Sequence, residues 1–418
     1  MVIKINKQFY KDIFIYLLPT LIIVSQFITI GAIRLSWALS LLLAIIVFSR
    51  LSLIHEKKVL AVTFIIVLIY PIISFFWSFS SSFDMNLYLS LLTGAVFLLY
   101  INVITEEKIH IFIDGCFCSC ALFVIMGIYE IFTGKYYLFA NEDFIYRLNS
   151  SGLHYPGVAF ANTNDLAQFL AMVLPIVIAY EWKEKSKKTR VFLCVILIGA
   201  IFVIYQSYCH LAMISLIISL WFIITRYTKN YLSVSKRLAF YLLFALFFYY
   251  LSRYTNVITL IYNNLIKVET TNAHYVERAN IYSSLFESFI NNPFGGFGNA
   301  YSMAIISPHN LFLYIINDFG IIVGLLFVGL LIYLFINLIK NINNPICLGL
   351  FAAFIAFPLS SCISSGNEQR KVVWLILGLG IRYAWKSVNP TEKDNIFQYS
   401  KERMKGVSAS ADASSRYI

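Results

Sequence analysis

The chain has 418 residues, of which 60% are hydrophobic, 17% aromatic and only 13% charged. Soluble domains run at about 45–50% apolar and roughly 25% charged, so this composition excludes an ordinary globular protein; disorder, which needs the opposite balance, is excluded as well. The net charge of +11 is spread over short Lys/Arg clusters between apolar runs. That is the pattern that orients membrane helices, and no single patch offers itself to nucleic acid.

Apolar runs of about 17–25 residues can each cross a bilayer of roughly 30 Å. Twelve spans are predicted, at 13–31, 35–49, 59–77, 87–104, 109–129, 164–180, 191–206, 210–225, 238–251, 311–339, 346–360 and 372–387. The expected fold is an all-α polytopic integral membrane protein, with one transmembrane domain over 1–387 and a polar tail over 388–418. The first apolar stretch is long and has no small-residue cleavage site, so it reads as a span and not as a signal peptide. With the N-terminus in the cytoplasm, 24 of the 32 Lys and Arg residues fall on cytoplasmic segments and 8 outside, the bias that topology requires. Both termini are therefore expected in the cytoplasm. Two outside segments, about 130–163 and 252–310, are too long for turns, and loops of that length in a compact protein usually carry function. No internal repeat and no matching pair of broken helices is visible, which counts against an inverted-repeat transporter.

Along the chain, Cys116-Phe-Cys-Ser-Cys120 lies inside the fifth span with no CxxC pair elsewhere, and its thiols read as small packing residues. Asp114, Glu130 and Asp318 sit in or near spans, where ionisable groups are costly. The first long loop carries Arg147, whose planar guanidinium suits a phosphate. It ends in Pro156-Gly-Val-Ala-Phe-Ala-Asn-Thr-Asn-Asp165. Asn162, Asn164 and Asp165 stand where the sixth span begins and can cap its free N–H groups. His154, His210 and His274 fall in no ligand spacing, and no zinc site is expected.

The second long loop is the most informative. Residues 276–290 predict an amphipathic helix, with Tyr282, Leu285, Phe286 and Phe289 on one face and Asn280, Ser283, Ser284, Glu287 and Ser288 opposite. Such a helix can lie in the membrane interface. Asn292-Pro293 stops it, and Gly295-Gly-Phe-Gly298 forms a turn where backbone can approach a ligand. Arg278 near the helix start opposes the dipole at a cost of about 0.3–1 kcal/mol, which points either to an anionic substrate or to lipid phosphate. Ser307 and Pro308 resemble an N-cap and first helical residue, placing His309 in the first turn of the tenth span. The dipole and partial burial there favour neutral imidazole, as a general base needs. A histidine satisfied by backbone or a lipid headgroup is the alternative.

The order of these motifs resembles the O-antigen ligase and polysaccharide polymerase superfamily of bacterial membrane glycosyltransferases. The matching residues are Pro156-Gly-Val-Ala-Phe160 with Asn162-Thr-Asn-Asp165; Glu277-Arg-Ala-Asn-Ile-Tyr282; Asn292-Pro-Phe-Gly-Gly-Phe-Gly298; and Pro308-His-Asn310 followed by Asp318-Phe-Gly-Ile-Ile-Val-Gly324. The resemblance covers roughly residues 147–325. It implies about a dozen helices, an extracytoplasmic active site at the cytoplasmic (inner) membrane, a glycan donor on undecaprenyl diphosphate, and neither cofactor nor metal. It also implies His309 as base and Arg278 as the diphosphate-binding arginine, with Arg147, Asn162, Asn164 and Asn310 around the substrate. Two departures stand out. Ser207-Tyr-Cys-His210 replaces the Ser-Arg-Gly of many members, leaving Arg370 or Lys371 to substitute, and Asn162-Thr-Asn replaces Asn-Pro-Asn. The implied partners are the lipid-linked oligosaccharide, membrane lipids, an acceptor glycan or lipid A-core, and other polysaccharide assembly proteins. A polymerase is favoured narrowly over a ligase, and a lipid or polysaccharide transporter is the rival of a different class. The topology predicts that alkaline phosphatase fused after residue 147 is active and that fused after residue 400 is inactive; activity of the second fusion would refute it.

Overall fold

The computed structural model describes residues 7–30, 33–51, 57–80, 82–136, 154–160, 162–231, 273–300, 310–362 and 370–388. Among them run twelve α-helices: α1 (Lys7–Ser25), α2 (Leu35–Ser49), α3 (Lys57–Ser74), α4 (Met85–Val103), α5 (Glu106–Thr133), α6 (Thr163–Glu184), α7 (Lys187–Gln206), α8 (His210–Tyr231), α9 (Ala273–Asn291), α10 (Leu311–Lys340), α11 (Pro345–Ser360) and α12 (Lys371–Val388). Eight are long and apolar enough to cross a membrane, and α2 and α11 are shorter apolar helices. The protein is an all-α polytopic membrane protein. The expected ninth span, 238–251, and the tail beyond Val388 lie outside the described residues.

Several helix starts carry a side-chain cap. Asp84 accepts from Leu87 N, Asn162 from Asn164 N, Ser186 from Thr189 N, and Asn344 from Ile346 N and Cys347 N. Each satisfies an N–H that the helix itself leaves unpaired. The first helix departs from its expected bounds, and the tenth keeps its expected start but not its expected cap. The first helix covers 7–25 and not 13–31, because Thr29–Ile30 (β1) and Ile33–Arg34 (β2) pair as a small antiparallel hairpin; the helix starts earlier, where Asp12 receives Lys108 and Gln8. The tenth helix begins at Leu311, capped by Asn310 through Phe312 N and Leu313 N. The cap is thus Asn310, directly ahead of Leu311, in place of the expected Ser307; Ser307, Pro308 and His309 lie outside the described residues.

The bundle centres on α6, which packs against α5, α7, α8, α11 and α12 and is buried from Asp165 to Glu181. Lipid-facing helices show the reverse. Leu41, Leu42, Ile45 and Phe48 of α2 and Ile322, Leu325 and Leu326 of α10 are exposed although apolar, a surface suited to hydrocarbon rather than water. Cys116 and Cys120 are buried, and all seven cysteines are unbridged, in keeping with packing.

Glycines set the tightest crossings, as small residues do between membrane helices. A Cβ on Gly349 of α11 would lie 2.5 Å from Ile176 Cα of α6, and one on Gly115 of α5 would overlap the Tyr16 carbonyl of α1. Gly115→Val is expected to destabilise by more than about 3 kcal/mol, the upper end of ordinary overpacking, because backbone must move. Gly329→Ala, with nothing within 4 Å of the added methyl, is expected to gain about 0.5–1 kcal/mol. Thermal unfolding in detergent measures both.

Candidate functional site

The connections alternate between two ends of the bundle, and the polar signature collects at one of them. This end holds the start of α6, α8, α10 and α12 and the finish of α5, α7 and α11. Among the described residues it carries few cations, namely Arg34, Lys135, Arg370 and Lys371, whereas at the opposite end the α6–α7 connection alone brings together Lys183, Lys185, Lys187, Lys188 and Arg190.

Asn162 has extended backbone and caps α6, its Oδ1 accepting from Asn164 N at 2.9 Å. Asp165, three residues on, faces Arg370 at the start of α12, with Nη2 and Oδ2 2.6 Å apart; the side chains are 1% and 18% exposed. The Arg370 guanidinium also lies 5.9 Å from the Phe27 ring centroid, over a cluster in which Phe160 packs against Phe27, Phe123 and Phe169. One turn deeper, Gln168 Nε2 donates to Ser360 O at 2.7 Å. Leu311 N donates to Ser361 O, and Asn310 Nδ2 reaches Cys362 Sγ at 3.5 Å. The starts of α6, α10 and α12 and the end of α11 are thus held together by Asp165–Arg370, Gln168 and Asn310. Burial raises the Cys362 thiol above its ordinary value.

The segment before α6 is held by Glu130 near the end of α5. Its buried Oε2 accepts from Gly157 N at 2.8 Å and Val158 N at 2.7 Å, and Val158 takes a positive φ of 51°. Tyr136 donates to Tyr155 O at 2.9 Å; burial, with the Glu130 charge as a second cause, pushes its hydroxyl up to about 12. At the end of α7, Tyr208 has φ 53° and its ring packs edge-on to Tyr155 at 5.7 Å.

The amphipathic helix is present as α9, with Phe286 and Ser288 exchanged between its expected faces. Ile281, Leu285 and Ser288 are buried, while Phe286 is 56% exposed. Packing of α9 against α10 selects that stripe. The following turn was expected to admit a ligand; it instead meets the protein's own backbone. Helix α10 breaks at Gly320 (φ 72°, ψ 174°), and the 292–300 segment fills the break. Gly296 N donates to Asn317 O at 3.0 Å and Ile321 N to Pro293 O at 2.9 Å. The Asp318 carboxylate accepts from Gly298 N at 3.1 Å and Ala300 N at 2.8 Å. The two donors to Asp318 thus come from a loop 18 to 20 residues upstream.

Of the expected site residues, Asn162, Asn164, Asn310 and Arg370 come together at this end. Arg278 lies on α9, with its side chain outside the description, and His309 and Arg147 fall outside the described residues. Among the described residues no three His, Cys, Asp or Glu side chains converge as metal ligands. A cleft of about 490 Å³ opens beside the site, from Leu311 to Tyr333 along α10, lined by apolar groups including Val62, Ile66, Leu98, Phe319, Leu326 and Trp374. No protein-family model and no curated protein matches the chain.

Arg370→Ala would leave the Asp165 carboxylate buried without its cation, at an expected cost of about 3–5 kcal/mol. Replacing both, as Asp165→Leu with Arg370→Met, should recover much of that loss. Unfolding midpoints in detergent decide it.

Proposed function

We propose that the protein is a membrane glycosyltransferase that moves a glycan from a polyprenyl-diphosphate carrier to a sugar hydroxyl on the outer side of the cytoplasmic membrane, acting as a surface-polysaccharide polymerase. The observation that carries the reading is the concentration of the Asn162–Asp165, Asn310 and Arg370 groups at one end of an otherwise apolar bundle, beside an apolar cleft reaching from Leu311 toward the opposite end. A substrate with a polar head and a long hydrocarbon tail has both requirements met there. A transporter needs polar groups lining a path through several spans; the polar groups described above gather at the ends instead.

In this reading His309, next to the Asn310 cap, removes the proton from the acceptor hydroxyl as general base. The resulting oxygen attacks the anomeric carbon from the face opposite the diphosphate and inverts its configuration. Arg278 on α9, with Arg147, stabilises the negative charge that builds on the leaving diphosphate. Arg370 is engaged by Asp165, so its part is to hold the start of α6, where Asn162 and Asn164 stand, rather than to grip phosphate. In this reading the cation-poor end is the outer one, which the distribution of Lys and Arg supports.

His309→Ala is expected to lower glycan transfer by about 10²–10⁴-fold while the protein accumulates normally in the membrane. The assay is complementation of a deletion strain with surface glycan read on a gel. Unchanged glycan amount and chain length would discard the role. A deletion strain that still makes single capped repeats but no ladder marks a polymerase; accumulation of lipid-linked polymer with no surface glycan marks a ligase.

A further inference from the structure

A broken helix in a membrane frees carbonyl and N–H groups that hydrocarbon cannot satisfy, and such breaks persist only where protein or a water-filled cavity takes those groups up. At Gly320 the partners come from the chain itself. Beyond the four bonds that seat the 292–300 segment in the break, the same segment is tied to the end of α3. Tyr70 donates to Phe294 O, Trp77 Nε1 to Gly295 O at 2.6 Å, and Ser78 Oγ to Phe297 O at 2.8 Å. Phe297 N donates to Ser74 Oγ, and the buried Asn299 Oδ1 accepts from Phe79 N at 2.7 Å and Ser78 Oγ at 2.8 Å. Gly295 and Gly320 meet backbone to backbone: a Cβ on the first would overlap Gly320 N, and one on the second would overlap Phe294 O. Only glycine at both positions permits that contact, and both have a positive φ that glycine adopts freely.

Three elements therefore converge on one joint, and the joint stands between the two places where the proposed reaction needs its groups. Arg278 is on α9, which leads directly into the segment through Asn291. Asn310, next to His309, begins the half-helix that ends at Phe319; the eight residues from Asn310 to Asp318 span about 12 Å of helix. Neither helix end is fixed relative to the other by continuous secondary structure, because α9 ends at Asn291 and Asn310 has extended backbone at the start of α10. We infer that Asp318, with the Gly295–Gly320 contact, is a positioning residue that clasps the 292–300 segment into the break of α10 and so fixes α9 against the first half of α10. Its consequence for catalysis rests on the proposed function; the clasp itself rests on the hydrogen bonds alone.

The experiment compares wild type, Asp318→Asn and Ser78→Ala in the full-length protein. Asp318→Asn keeps the shape but turns one acceptor into an NH₂ that faces a backbone N–H. Ser78→Ala removes the hydroxyl whose single proton serves Phe297 O and Asn299 Oδ1 of the same segment, with less buried damage, and it serves where Asp318→Asn does not accumulate. The first readout is the distance between spin labels at Glu287→Cys on α9 and Phe312→Cys on α10, with the seven native cysteines replaced by alanine. The second is kcat and KM for a polyprenyl-diphosphate-linked oligosaccharide in proteoliposomes. The clasp predicts one narrow distance in wild type that broadens in both variants, together with a fall in kcat toward a hundredfold for Asp318→Asn, the scale of a misplacement near 1 Å, at unchanged KM. An unchanged distance overturns the clasp, and a broadened distance with unchanged kcat overturns the positioning role. If wild type transfers no glycan, the function proposed above fails, while the distances still decide the clasp.

Discussion

Inside hydrocarbon every backbone N–H and C=O must find its partner within the protein, and that constraint explains more of this molecule than any single side chain. It accounts for the long uninterrupted helices and for the asparagine, aspartate and serine residues at their starts. It also accounts for the one described helix that is not continuous. The break at Gly320 is stable because an external segment returns to supply two donors to the Asp318 carboxylate and one each way to the flanking backbone. Remove the returning segment and the break becomes a cluster of unpaired polar groups in an apolar environment, where each costs several kcal/mol.

The same logic governs three of the four buried carboxylates among the described residues. Glu130, Asp165 and Asp318 are each at most 2% exposed, and each is met by something positive: two backbone N–H groups, an arginine, or two further N–H groups. In each case the partner comes from a connection or helix end instead of a neighbouring span's middle. The carboxylates thereby order the loops at one end of the bundle, giving that end a defined shape without a soluble domain. Val158 shows what such anchoring sustains, since its left-handed φ is unfavourable for a β-branched residue and is held by the two bonds to Glu130.

Apolar run length made the spans legible in the sequence, because crossing a bilayer leaves a signal of twenty residues. Termini of helices were less legible, because caps compete over a few residues: Asn310 took the role that Ser307-Pro308 advertised, and the Thr29–Arg34 hairpin claimed apolar residues that hydropathy assigned to a span. The amphipathic helix was visible, yet its buried stripe was displaced, since Ser288 and Phe286 are sorted by contact with α10 and not by polarity. Of the candidate site, Asn162, Asn164, Asn310 and Arg370 stand at one end of the bundle, a placement that the order of the spans already implies. What no local pattern could reveal was pairing at a distance. Asp165 with Arg370 spans over two hundred residues, and Asp318 with Gly298 joins two motifs that each looked complete on their own.

The clasp and the apolar cleft share a wall, which links the two proposals physically. Phe319, adjacent to Asp318, lines the cleft and stacks on Tyr70 of α3 at 6.0 Å, while Tyr70 itself donates to Phe294 O of the clasped segment. The cleft is bounded by α3 on one side and α10 on the other, so the joint that ties the end of α3 to the middle of α10 also sets how far apart those walls stand. In the proposed reading a hydrocarbon chain in the cleft would touch Phe319, and through the Phe319–Tyr70 stack it would adjoin the segment that the clasp holds. An apolar slot independent of the clasp would offer binding without alignment.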